Sequence, residues 1–426
     1  MQKKVSLSTL IISVVCAILV TFLVTAVVFA LGGTVSDIVK AVKAADSVGE
    51  EIDTLQENLP QDKRNPELFK TLAYIDYFYQ SGYVGEVDNE DLQFYLMNAY
   101  IAYVGDKYGM YYTPEMVDEL FSGFQGVSVG IGVYIKGELE NGGIKVFATM
   151  KDSPAETAGI LAGEYITKVD GVSVSTLGYD EAVSRISGEI GADVTLTVEN
   201  ASGEVREVEL TRREYETQSV YYRKYSFNDS IGVIRIIDFT DSMPSQFKDA
   251  VNALIAEGCT SLVFDVRSNG GGTLDSCVEV LDFLLPEGPV AYITDSEGNV
   301  ENTYYSDESE IDLPMVVLTD GYTASAAELF TCALKDYDKA TIIGTKTYGK
   351  GCMQNVFELP CGGALRYTTN MFNGPVSPNF DGVGISPDIT ASLYSPASEK
   401  NLFELTDTED NQLHRAYIYL INKQSN

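Results

Sequence analysis

Residues 7–31 contain no charged side chain, and no other stretch limits the chain's options as strongly. At about 1.5 Å of rise per residue the run makes roughly 37 Å of helix, enough to cross the hydrocarbon layer of a bilayer. Lys3 and Lys4 precede it, which keeps the N-terminus cytoplasmic and sends everything after Leu31 to the outer side. The other reading is a cleaved secretory signal, with Val28-Phe29-Ala30 as the small-residue cleavage site. The apolar stretch exceeds the about 7–15 residues usual for such a signal. The expectation is therefore a single-pass anchor in the cell membrane with the remaining chain extracytoplasmic. A formal net charge of −33 argues against nucleic acid or anionic lipid headgroups as partners, since both recruit basic patches.

With 426 residues, 45% of them hydrophobic, the exported part can bury two or three cores. The pattern divides it into a stalk over 33–64, a helical region over 65–125, a β-rich domain over 126–213, an α/β core over 214–393 and a C-terminal segment over 394–426. Residues 1–32 carry the anchor. Asn65-Pro66-Glu67 reads as a capped helix start. The aromatic residues that follow are expected in a core rather than on a dimer face. Of the six cysteines, Cys16 lies in the apolar run; Cys352 and Cys361 flank an expected hairpin and could pair. Cysteine–histidine metal spacing is absent, so neither metal nor cofactor is expected.

The chemistry concentrates between Thr319 and Val356. Ser325 sits among Ala324, Ala326 and Ala327 at the start of a run with helical pairs, Leu329 with Ala333 and Phe330 with Leu334. A helix start offers unpaired N–H groups and a positive dipole end, where a serine nucleophile and an oxyanion are both stabilised. The single histidine, His414, is far along the chain, so a lysine base is the more economical partner. Lys350 lies between two glycines in an apolar neighbourhood, where desolvation would lower its pKa. If a strand begins there, Lys350, Cys352 and Gln354 share a face, and Gln354 would hold the amine. A competing signal, Gly126-Val127-Ser128-Val129-Gly130, fits the G-x-S-x-G elbow. That elbow needs a following helix. Val133 to Lys136 reads as strand, so Ser128 is assigned a structural role.

The segment T-A-S-A-A-E followed by G-K-G-x-x-Q resembles the carboxyl-terminal processing (tail-specific) serine peptidases, with Ser325, Lys350 and Gln354 at the nucleophile, base and orienting-amide positions. Thr323 and Ala327 depart from the family's serines. The resemblance extends over roughly 65–392. Arg267-Ser268-Asn269-Gly270-Gly271-Gly272 stands where the family has R-N-N-P-G-G. This implies an oxyanion donor from Gly271 or Gly272, with the Ala326 N–H as the second. Gly130-Ile131-Gly132-Val133, with Ser153-Pro154-Ala155 after it, resembles the carboxylate-binding loop of a PDZ domain. One departure is Ile186-Ser187-Gly188, where relatives often carry a basic residue before the glycine.

The resemblance implies a multidomain α+β protein: a membrane helix, a helical segment, a PDZ-like domain and an α/β serine-peptidase core. It implies a serine endopeptidase that takes protein substrates by their free C-termini, and a homodimer built by the helical segment. A non-catalytic PDZ scaffold is the rival reading, and an esterase on Ser128 and His414 a third. Signalling proteolysis, envelope maintenance and turnover of exported proteins all remain open as settings.

Overall fold

The computed structural model describes residues 59–424 apart from 60, 64, 88, 136–138 and 140–141. The anchor expected over 7–31 and most of the stalk lie outside the described residues. Among the described residues no helix is long and apolar enough to cross a membrane. The chain divides into two bodies, residues 1–90 and 91–426.

In the first body the helix Pro66–Gly82 starts as its sequence dictates, with Asn65 accepting from the Leu68 N–H at 3.3 Å and Pro66 in the first turn. The sequence reading places its aromatics in a core, and this needs correction. Tyr74, Tyr77, Phe78 and Tyr79 are exposed, and among the described residues of this body no second apolar layer covers them.

The second body begins at Asp91, inside the helix Asn89–Val104, whose Tyr95, Tyr100 and Tyr103 are likewise exposed. The short strand Met110–Tyr112, which no periodicity announces, then pairs antiparallel with Ala364–Asn373. The helix Pro114–Gln125 ends at Gly126 in the left-handed conformation.

The β-rich domain is an antiparallel sheet in the order Val133–Ile135, Ile144–Thr149, Tyr165–Val169, Asp193–Glu199, Val205–Thr211. Strict alternation in Asp193–Glu199 turns Val194, Leu196 and Val198 inward onto Ala182 and Ile186 of the helix Tyr179–Ile186. The domain enters through Val127–Gly130 and leaves through Arg213–Glu216, which pair with each other; beyond them the Thr217 N–H donates to Gly126 O at 2.8 Å.

The α/β core holds a six-stranded sheet in the order Val220–Tyr225, Asn228–Ile236, Ser261–Asp265, Met315–Thr319, Ala340–Gly344, Ile389–Thr390. All pairings after the first are parallel. Its central strands are buried on both faces, as the near-continuous apolar runs SLVF and MVVL require. One face (Leu262, Phe264, Met315, Val317) meets the helices Met243–Ala256, Leu274–Leu284 and Ala326–Asp336. The other face (Val263, Val316, Leu318, Ile343) meets Leu413, Ala416 and Leu420 of the helix Asn411–Gln424. The C-terminal segment is thus a covering layer of the core sheet. A second, antiparallel sheet carries the hairpin Cys352–Glu358 and Ala364–Asn373. Three loops leave the C-terminal ends of adjacent parallel strands, after Asp265, Thr319 and Gly344, and these build the site.

Candidate active site

Ser325 caps the helix Ala326–Asp336 in a conformation that L-residues avoid, φ 57° and ψ −121°. Such strain persists only where the surroundings over-determine it. Here the Ser325 N–H donates to Glu328 Oε2 at 3.0 Å, while the Leu329 N–H donates to Ser325 O at 3.0 Å. Upstream, the Thr323 hydroxyl donates to Val266 O at 2.8 Å, and the Ala324 N–H donates to Asn269 O at 2.9 Å. The segment before the nucleophile is therefore bolted to the glycine turn after Asp265.

That turn approaches the serine as closely as backbone can. A Cβ on Gly271, whose φ is 112°, would lie 2.7 Å from the Ser325 Cβ and 3.0 Å from the Ala326 nitrogen. A Cβ on Gly272 would fall 2.2 Å from Phe239 O. Only glycine permits either contact. Buried Asn269 shapes the turn from inside: its amide donates to Ile236 O at 2.9 Å, and its Oδ1 accepts the Gly271 N–H at 2.8 Å. The Gly271 N–H is thereby occupied. Among the described hydrogen bonds none uses the N–H of Gly272 or of Ala326.

The residue that sequence reasoning passes over is Glu328. It is fully buried, and its carboxylate joins the serine helix to the lysine turn. Oε1 accepts from the Thr347 hydroxyl at 2.5 Å and the Gly349 N–H at 2.7 Å; Oε2 accepts from the Lys350 N–H at 2.7 Å as well as from Ser325. The available signal was its position three residues after the serine, in the first turn of a helix, where a carboxylate can reach back to the cap.

Lys350 is half-buried, and desolvation holds its ammonium below the ordinary lysine value. Its Nζ lies 4.6 Å above the ring of Tyr108. No hydrogen bond joins it to the Ser325 hydroxyl among the described residues. Tyr108 belongs to a loop pinned to the hairpin by Asp106, which accepts from the Thr368 N–H at 2.8 Å and its hydroxyl at 2.9 Å. Nothing in the sequence points to Tyr108. Among the described hydrogen bonds none joins Gln354 to the amine: its Nε2 donates to Cys352 O and Sγ at 3.4 Å and to the Thr368 hydroxyl at 3.3 Å. Of the face expected for Lys350, Cys352 and Gln354, the last two do share a side, their side chains in contact, whereas Lys350 precedes the strand. The strand begins at Cys352, and its register shifts between Met353 and Gln354. Cys352 and Cys361 are both free thiols, one buried and one exposed, so the pairing considered for them does not form.

His414 stands on the far face of the sheet, its Nδ1 3.1 Å from the Tyr225 hydroxyl, and is not brought to Ser325. Ser128 lies within the strand Val127–Gly130. Among the described residues no cluster of histidine, cysteine and carboxylate side chains could hold a metal ion.

In the β-rich domain, Ile131 O and Gly132 O accept from the Ala155 and Met150 N–H groups, both at 2.8 Å. Ile131 is buried, and Gly132 has φ 74°, with Ser153 where its Cβ would be. Val133 and Ile135 lie on an edge strand whose described partner is Ile144–Thr149 alone. Beside them Tyr179 and Val183 present the helix. Arg212, absent from the sequence reading, closes the C-terminal end of that helix, donating to Ile186 O at 2.9 Å and Arg185 O at 2.6 Å. Its guanidinium lies directly beside Gly188, within 3.1 Å of where a Cβ there would stand.

An α/β core with a strained serine at a helix mouth, carrying a PDZ-type β domain, defines a serine-hydrolase class. Comparison with known proteins narrows it. Residues 230–391 match peptidase family S41 and residues 148–200 match the PDZ domain. "Carboxy-terminal-processing protease" of Bartonella bacilliformis is 32% identical over 69% of this chain and 68% of its own length. "Probable CtpA-like serine protease" of Staphylococcus aureus is 34% identical over 73% of this chain and 62% of its own length, so the chain spans less than two thirds of that relative. A solved "photosystem II D1 C-terminal processing protease" aligns with a TM-score of 0.44 at 26% identity, over 75% of this chain and 86% of that one. The chain belongs to peptidase family S41.

Proposed function

We propose that the protein is a membrane-anchored, extracytoplasmic serine endopeptidase that takes protein substrates by their C-termini. Ser325 attacks the scissile carbonyl while Lys350, neutral, accepts its proton; the N–H groups of Gly272 and Ala326 receive the oxyanion. Gly271 keeps the turn close enough for this. Lys350 then protonates the leaving amine, and water hydrolyses the acyl-enzyme. The observation that carries this reading is the Glu328 carboxylate, which holds the backbone of nucleophile and base together in a buried site. The 4.6 Å perch of Lys350 on Tyr108 is a resting position that the amine must leave to reach Ser325.

The β-rich domain supports substrate selection. The carbonyls of Ile131 and Gly132 are committed to the 150–155 turn, and among the described hydrogen bonds none uses the N–H of either residue, so both can serve a terminal carboxylate. The open edge at Val133–Ile135 would pair with the peptide behind it. The uncharged run 7–31 behind Lys3 and Lys4 supports the anchor and the outer location.

Comparing cleaved C-termini in cells carrying wild type or Ser325→Ala tests the whole reading. Products that vanish with the variant are expected; an unchanged product set, with wild type inert to a serine-acylating probe, would favour a non-catalytic scaffold. Amidating a substrate's C-terminus should weaken its binding to the full protein, and equal binding of acid and amide forms would remove the carboxylate role.

A further inference from the structure

Residues 392–424 fall outside the matched peptidase region, yet they reach its oxyanion turn through one buried guanidinium. Arg267 immediately precedes Ser268-Asn269-Gly270-Gly271-Gly272 and is almost wholly buried. Its Nε and Nη2 donate to Asp265 at 2.8 and 2.7 Å. Its remaining reach goes to the C-terminal segment: Nη1 to Asp410 Oδ1 at 3.1 Å and Gln412 Oε1 at 2.8 Å, Nη2 to Asp410 Oδ2 at 2.7 Å. Asp410 is itself fixed as the cap of the helix Asn411–Gln424, its Oδ1 accepting the Leu413 N–H at 3.0 Å. That helix is anchored by Leu413, Ala416 and Leu420 on the sheet.

The other end of the connection is equally short. Ser268, at φ 59°, follows Arg267 directly and is held by Asp320, whose Oδ1 accepts its N–H at 3.0 Å. Asn269 then carries the Ala324 N–H and the Gly271 N–H. A guanidinium with all its planar donors engaged cannot tilt without breaking several charge-assisted bonds at once. The turn therefore inherits the position of Arg267, and Arg267 that of Asp410.

We infer that Asp410, with Gln412, is a positioning residue for catalysis: the C-terminal helix sets the oxyanion turn through Arg267. The inference rests on the oxyanion role given above to Gly272 and Ala326. It is particular to Asp410, because Asp407 on the same segment pairs instead with Arg223 and the Ser226 N–H, away from the turn.

The test compares Asp410→Asn, Gln412→Met and Asp407→Asn in the full chain, with Ser325→Ala as the inactive reference. Steady-state kinetics on one reporter peptide are read beside the affinity of a peptide aldehyde, which forms a tetrahedral adduct, and of the same peptide as an uncleaved ground-state ligand bound to Ser325→Ala counterparts. Asp410→Asn should lower kcat by about tenfold or more, leave KM within about twofold, and weaken the aldehyde in parallel with kcat/KM while the ground-state ligand is unaffected. Gln412→Met, which removes the neutral acceptor of Arg267 and the donor to Ala391 O but keeps the charge pair, should do the same to a smaller degree and keeps the inference testable should Asp410→Asn fail to fold. Asp407→Asn should lower thermal stability and leave kcat unchanged. Equal kcat losses in the Asp407 and Asp410 variants, or aldehyde affinity unchanged in both Asp410→Asn and Gln412→Met, would overturn the inference. An inactive wild type would overturn the peptidase reading instead.

Discussion

Replacing Glu328 with glutamine removes one oxygen and one charge from a site that uses both oxygens. The carboxylate accepts from Ser325, Lys350, Gly349 and Thr347. An amide nitrogen placed at Oε2 would face two backbone N–H groups. Placed at Oε1 it would orphan the Gly349 N–H and turn the Thr347 hydroxyl, which already accepts the Ile385 N–H, away from its acceptor; this is the cheaper arrangement, because a hydroxyl can also accept from the new amide. One buried orphan costs about 1–3 kcal/mol, and loss of charge assistance in the two surviving bonds adds about 1 kcal/mol each. Relief of the desolvation of a buried carboxylate offsets part of that sum. The expectation for Glu328→Gln is a loss of about 2 kcal/mol of stability. Because the lysine turn loosens against the serine helix, a slip of about 1 Å would also lower kcat/KM by about 100-fold. Denaturant unfolding and kcat/KM on a reporter peptide read the two effects. A Glu328→Gln enzyme with wild-type stability and wild-type kcat/KM would show that the bridge does not hold the site.

Ser325→Ala and Lys350→Ala should each abolish peptide cleavage with the fold intact, and the double variant should lose no more than either, whereas His414→Ala should retain near wild-type kcat. Burial lowers the pKa of Lys350, so the fraction of neutral base, and with it kcat/KM, should rise with pH along a limb below the ordinary lysine value of 10.5. The ring of Tyr108 favours the protonated amine, so Tyr108→Leu, which keeps an apolar wall, should move that limb to lower pH; a pH–rate profile that does not move would show that the ring contact is absent in solution. Gly271→Ala places a methyl 2.7 Å from the Ser325 Cβ at φ 112°, and should cost about 100-fold or more in activity; an active, folded Gly271→Ala enzyme would show that the turn does not approach the serine.

Local chemistry made much of this legible. Alternation in Asp193–Glu199, the doubly buried runs SLVF and MVVL, and the cap at Asn65 follow from side-chain period and hydrogen-bonding capacity alone. So does the placement of Ser325 at a helix mouth. What escaped depends on partners distant in sequence. Tyr108 meets Lys350 through a loop pinned by Asp106 to Thr368, and Arg267 meets Asp410 across the sheet. Neither pair leaves a periodic trace. Period-two reasoning pairs Gln354 with Cys352 but not with Lys350, which lies before the strand, and it does not foresee the register shift beside Gln354.

The pairing of Val127–Gly130 with Arg213–Glu216 makes the β-rich domain a detour in the path of the core chain. Phe124 O accepts the Asp241 N–H at 2.9 Å, a contact far apart in sequence but adjacent once the two-stranded ribbon has formed. The intervening domain carries its own core, so its collapse can draw the ribbon together and shorten the effective loop before the core sheet assembles. Loop-closure entropy grows only by about 0.6 kcal/mol per doubling of length, so what the detour contains hardly affects the cost of closing it. The ribbon makes the contents of that detour exchangeable: a different module with ends equally close together would leave the path of the core chain unchanged.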